Sequence, residues 1–76
     1  MATLLITYLD GNEFRLVDMR PEDALAAREA YQGPGTTLNL RFFDGRANKN
    51  FNIPKARVAR FEIQLTPDAE PLVVQR

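Results

Sequence analysis

Leu4-Leu5-Ile6-Thr7-Tyr8-Leu9-Asp10-Gly11 has an echo in Leu38-Asn39-Leu40-Arg41-Phe42-Phe43-Asp44-Gly45. Each copy is a β-favouring run that closes on Asp-Gly, and each is followed by more strand-like sequence. Asp-Gly between alternating apolar residues is the strongest short-range hairpin signal. The two Asp-Gly steps lie 34 residues apart, and Pro21 and Pro54, which follow the two hairpins, lie 33 apart. The chain therefore predicts a scaffold of two related hairpins.

The first hairpin starts with a strand over residues 3–9. A three-residue loop, Asp10-Gly11-Asn12, sets Tyr8 opposite Phe14 and Ile6 opposite Leu16, which gathers one apolar face. A two-residue loop mixes the faces, because a one-residue slip sends every side chain to the other side. Asn12 is expected to adopt the left-handed backbone that such a loop needs. The return strand covers 13–18, and a helix is predicted over 21–31. Pro21 suits its first position, and Glu22 and Asp23 complement the positive end of its dipole. Leu25 and Tyr31 are its expected anchors, Gly33 its left-handed stop and Pro34 its barrier to continuation.

The second hairpin reads as strands 36–43 and 46–53 around a two-residue loop. That register pairs Leu38 with Phe51, Leu40 with Lys49 and Phe42 with Ala47 on a largely apolar face. The opposite face carries Asn39, Arg41, Phe43, Arg46, Asn48, Asn50 and Asn52. One dry and one wet side is the pattern of an antiparallel sheet. Pro54–Arg57 reads as a tight or 3₁₀ turn. Strand 58–65 follows, with Ala59, Phe61, Ile63 and Leu65 alternating against polar residues. If this strand joins the second hairpin, Arg60, Glu62 and Gln64 extend the polar face. Residues 1–66 then make one globular domain, and 67–76 a tail that is frayed or a short edge strand. Leu72, Val73 and Val74 in that tail are suited to adding to a partner's sheet.

The expected fold is α+β and β-rich, in the order ββαβββ. It is a small bent sheet or five-stranded barrel, with a β-grasp-like sheet carrying the helix across one face as the alternative. At 76 residues the core is small, burying about 60–65% of the unfolded surface. No cysteine is present to staple it, and small domains without staples often recover buried area by oligomerising. No apolar run approaches a membrane span, and no leader pattern is visible, so a cytoplasmic location is expected.

His, Cys and Ser are all absent. The commonest general base and the usual nucleophiles are therefore missing, and no enzyme activity, cofactor or metal is expected. Asp10-Gly11-Asn12-Glu13 lacks the length and the distant Glu of a calcium loop. Gln32-Gly33-Pro34-Gly35-Thr36 lacks the spacing and Lys of a phosphate cradle. The net charge is zero but uneven: −3 over residues 1–33, +4 over 34–66 and −1 over the last ten. A chain polarised in this way suits an acidic partner, or a second copy of itself. The expected function is a small non-enzymatic protein-interaction module, a homodimer or larger homo-oligomer that associates through sheet edges or the C-terminal tail. The alternative is a weak RNA or single-stranded DNA binder that uses the Asn/Arg-rich face of residues 39–64, gripping phosphates with Arg and stacking on Phe43.

Overall fold

A computed structural model describes residues 1–76. The chain is an α+β domain with the order β1 (Ala2–Tyr8), β2 (Glu13–Met19), α1 (Pro21–Gln32), β3 (Thr37–Phe43), β4 (Asn48–Pro54), β5 (Val58–Gln64) and β6 (Leu72–Val73). A 3₁₀ turn over Lys55–Arg57 joins β4 to β5. The strands form two antiparallel sheets, one ordered β2-β1-β5-β6 and the other β3-β4. They close no barrel, and they do not make the single β-grasp-like sheet of the alternative topology. No helix is long and apolar enough to cross a membrane.

Both hairpins keep the predicted faces but shift the predicted register by two residues. In the first, Ile6 rather than Tyr8 lies opposite Phe14, and Leu4 lies opposite Leu16. The loop is Leu9-Asp10-Gly11, closed by the Tyr8 N–H donating to Asn12 O at 2.8 Å. Gly11 holds the positive φ of +89°, not Asn12. The Asp10 carboxylate accepts the Asn12 N–H at 2.9 Å and so holds Asn12 as the start of the return strand. In the second hairpin Leu38 lies opposite Ile53 and Leu40 opposite Phe51. Asp44 Oδ1 accepts the N–H groups of Arg46 and Ala47 at 2.9 and 3.0 Å. Asp44 therefore becomes a corner of the turn, and the two-residue loop moves to Gly45-Arg46, with Gly45 at φ +93°.

A bulge sits late in β2. The pairing steps from Leu4–Leu16 to Ala2–Met19, leaving one extra residue on β2, and Asp18 takes φ +57° there. The bulge reverses the alternation and turns Met19 into the core, fully buried. A second irregularity lies between the pairs Thr7–Arg60 and Tyr8–Val58. It leaves Ala59 exposed instead of on the inner face where strict alternation puts it.

The core is one cluster to which both sheets and the helix contribute. Phe61, Leu4, Ile6, Met19, Leu38, Leu40 and Ile63 are its largest fully buried side chains. Tyr31 of α1 stacks on Phe61 of β5 with centroids 4.6 Å apart, and Phe14 of β2 meets Phe51 of β4 edge-on at 5.1 Å. The helix buries Ala24, Ala27 and Tyr31, whereas Leu25 remains partly exposed. The small alanines let α1 approach closely, and Tyr31 is its one large anchor. Gly33 is extended at φ −75° rather than left-handed, and Gly35 takes the positive φ of the loop.

Lys55 closes this end of the helix. It is only 2% exposed and makes no ion pair. Its Nζ donates to Gly33 O at 2.8 Å and to Pro34 O at 3.4 Å, and its backbone N–H donates to Thr36 O at 2.8 Å. The carbonyl-rich end of a helix is where a cation is favoured. The tail is also docked: β6 pairs with β5, Val74 N–H donates to Phe61 O at 2.8 Å, and Val74 is buried.

Candidate binding face

The outer face of β3-β4 brings six of the predicted surface residues into three cross-strand ranks. Asn39 lies opposite Asn52, Arg41 opposite Asn50, and Phe43 opposite Asn48. All six are exposed, and Arg46 sits beside them at the loop tip. Antiparallel ranks on one face repeat every two residues, about 7 Å along the strand.

The hydrogen-bonding capacity of this face is unspent within the fold. None of the four Asn amides and neither guanidinium makes a side-chain hydrogen bond or an ion pair in the chain. Asp44, the one acidic residue of the hairpin, is committed elsewhere. Its Oδ1 holds two turn amides and its Oδ2 lies 3.2 Å from Lys49 Nζ. The backbone N–H groups of Ala47 and Arg46, with Lys49 behind them, hold the Asp44 carboxyl at about 2. The face is therefore locally positive despite the neutral chain.

Helix α1 forms a wall that the sequence does not announce. Ala26 borders a groove of about 490 Å³ with Asn39, Leu40, Arg41, Asn50 and Asn52. Its side chain is too small to fill the space beside β3. At the other end, the Arg20 guanidinium lies 5.4 Å from the centre of the Phe43 ring. Arg20 is itself gripped by both Asp23 oxygens at 3.0 and 3.2 Å, and the Asp23 hydrogen bond raises its pKa further. Phe43 is 37% exposed and already has a cation over its ring.

The remaining predicted residues lie elsewhere. Strand β5 joins β1, not β4, so Arg60, Glu62 and Gln64 belong to the other sheet and do not extend this face. The physical reason is core matching: Leu4 lies opposite Ile63 and Ile6 opposite Phe61, joining two apolar rows. Arg60 is paired with Glu62 at 2.6 Å. Gln64 Nε2 donates to Ala69 O at 2.6 Å and to Pro67 O at 3.3 Å, pinning the turn before β6. Leu72 and Val73 are exposed beside an apolar groove of about 340 Å³ against α1, while Val74 points into the core. No group of three or more acidic side chains converges as a metal site. Comparison with protein families, curated proteins and solved structures finds no match to this chain.

Proposed function

We propose that the chain is a small, non-enzymatic, cytoplasmic interaction module that holds a protein partner on the outer face of β3-β4. The observation that supports this reading is the unspent polar array. Four amides and the Arg41 guanidinium are held in fixed ranks on a paired sheet, the Arg46 guanidinium stands at the loop tip beside them, and none is used by the fold. Arg and aromatic side chains are favoured anchors in protein interfaces, and Arg41 and Phe43 stand together here.

Association between copies is the second part of the reading, and it rests on the strand edges. The β4 edge carries the charged Lys49 on its inward face and ends at Pro54, both devices that discourage strand addition. The β2 edge is interrupted by its bulge. The short β6 edge carries no charge, and its Leu72 and Val73 are exposed. Light scattering after gel filtration is expected to give a species larger than the 8.6 kDa monomer; a strict monomer at high concentration removes this part.

The nucleic-acid alternative draws support from the two unpaired guanidiniums. It is the less favoured reading, because the face carries a single aromatic ring, with the Arg20 guanidinium 5.4 Å from its centre. For the primary reading the measurement is a comparative pull-down. A partner retained by the wild type and by Glu13→Ala is expected to be lost with Phe43→Asp. Identical capture by all three proteins, or no capture by any, refutes the assignment of this face.

A further inference from the structure

The partner's chemistry follows from the charge and spacing of the same face, and the argument rests on the interaction-module reading above. We infer that the face takes an extended acidic polypeptide segment, laid along the hairpin, with its carboxylates on Arg41 and Arg46 and its backbone on the asparagine amides.

Three observations converge on that occupant. The first is charge. Arg41 and Arg46 have no counter-ion in the chain, and Asp44 is held by Lys49 and two turn amides. The cations therefore call for carboxylates from outside, and the planar guanidinium fork fits a carboxylate in bidentate fashion. The second is group chemistry. An Asn amide offers donors and an acceptor together, which matches the alternating C=O and N–H of a peptide backbone. The third is spacing. The ranks Asn39/Asn52, Arg41/Asn50 and Phe43/Asn48 repeat every two residues, about 7 Å, the same repeat as same-side residues of an extended chain. From the Arg41 rank to the loop tip is about four residues of extended chain, so the acidic residues of the segment fall about four apart. The groove beside Ala26 supplies the room along β3.

Two competitors fit the same face less well. A single nucleic-acid strand needs stacking platforms and several phosphate contacts, and this face has one aromatic ring with a guanidinium already over it. A second copy adding a strand at β4 meets Lys49 and Pro54.

The test uses fluorescence anisotropy with the full chain and three labelled probes: a peptide of alternating Glu and Thr, the same peptide with Gln for Glu, and an oligothymidylate. The Glu peptide is expected to bind at low salt, to weaken as salt rises, and to bind about tenfold tighter than the Gln peptide. The double variant Arg41→Gln with Arg46→Gln is expected to lose about tenfold in affinity for the Glu peptide. It should leave the thermal melt unchanged, because both positions are exposed. The inference is overturned if the Glu and Gln peptides bind alike, if the double variant binds as the wild type does, or if the oligothymidylate binds more tightly than either peptide. The pull-down separates the levels of failure. A partner lost with Phe43→Asp but kept by the double Arg variant leaves the interaction module standing and removes the acidic segment. A partner indifferent to both variants removes both.

Discussion

Replacing Lys55 with Met removes an ammonium while keeping most of the stem, so it isolates the polar part of the helix-end clamp. The Nζ is buried and held at 2.8 Å from Gly33 O. A hydrogen bond involving a charged group contributes about 1.5–3 kcal/mol. The expected cost of Lys55→Met is therefore about 2 kcal/mol. Lys55→Ala also removes three buried methylenes at about 0.8 kcal/mol each, bringing the total to about 4 kcal/mol. A domain of 76 residues has about 4–11 kcal/mol in all, so the second variant takes away a large share and the first a tolerable one. Urea titration followed by far-UV circular dichroism measures both. The melting temperature of Lys55→Met should fall by about 8–16 °C, at about 4–8 °C per kcal/mol for a domain of this size. If Lys55→Met melts with the wild type, the ammonium contributes nothing and the clamp is packing alone. A Met variant as damaged as the Ala variant also refutes the division, since it assigns the whole effect to the charge.

Three further outcomes are expected. The Asp44 carboxyl sits at about 2 against an ordinary 3.8, so its ionised form is favoured by folding; that stabilisation is complete above about pH 4 and is lost as pH falls toward 2. Asp44→Asn should flatten this part of an acid titration of the melt, and an unchanged acid limb counts against it. Gly45→Ala meets no atom within 4 Å but keeps φ at +93°, so it should cost about 1–2 kcal/mol from backbone strain alone; a neutral result by denaturant titration rejects the turn geometry. Phe61→Ala removes a fully buried ring that stacks on Tyr31 and should cost about 3–5 kcal/mol, read as a fall of about 12–40 °C in the melt; a loss under about 1 kcal/mol contradicts the core described above.

Parity was legible in the chain, and register was not. Alternating side chains state which residues share a face, because a slip of one exchanges the faces. A slip of two preserves every face, so the apolar pattern is silent about it. Local turn chemistry decided that question: the Asp10 and Asp44 carboxylates bind amides just beyond the glycines and so place the corners. The three ranks survived the shift because a slip of two keeps every strand residue on its own face, while Arg46 passed from the strand into the loop. Arg60 and Gln64 separated from it because strand order depends on contacts between residues far apart in the chain. Leu4 and Ile6 take Phe61 and Ile63 as partners across more than fifty positions, and no local signal announces that choice. The β2 bulge was hidden for a related reason. Met19 follows Asp18 in a run that looks regular, and the positive φ at Asp18 that turns Met19 into the core leaves no mark in the apolar pattern.

The asparagines of β3-β4 bear on how the protein ages. An Asn side chain deamidates when the next residue's backbone nitrogen attacks it, a path that needs a flexible backbone and a small neighbour. Asn39, Asn48, Asn50 and Asn52 are followed by Leu40, Lys49, Phe51 and Ile53, and each lies in a paired, extended strand. Both requirements are withheld at every one of the four. Each conversion to Asp would place a negative charge beside Arg41 and erode the positive field of the hairpin. By slowing that chemistry, the strand geometry lets an amide-rich surface hold its charge over the lifetime of the molecule.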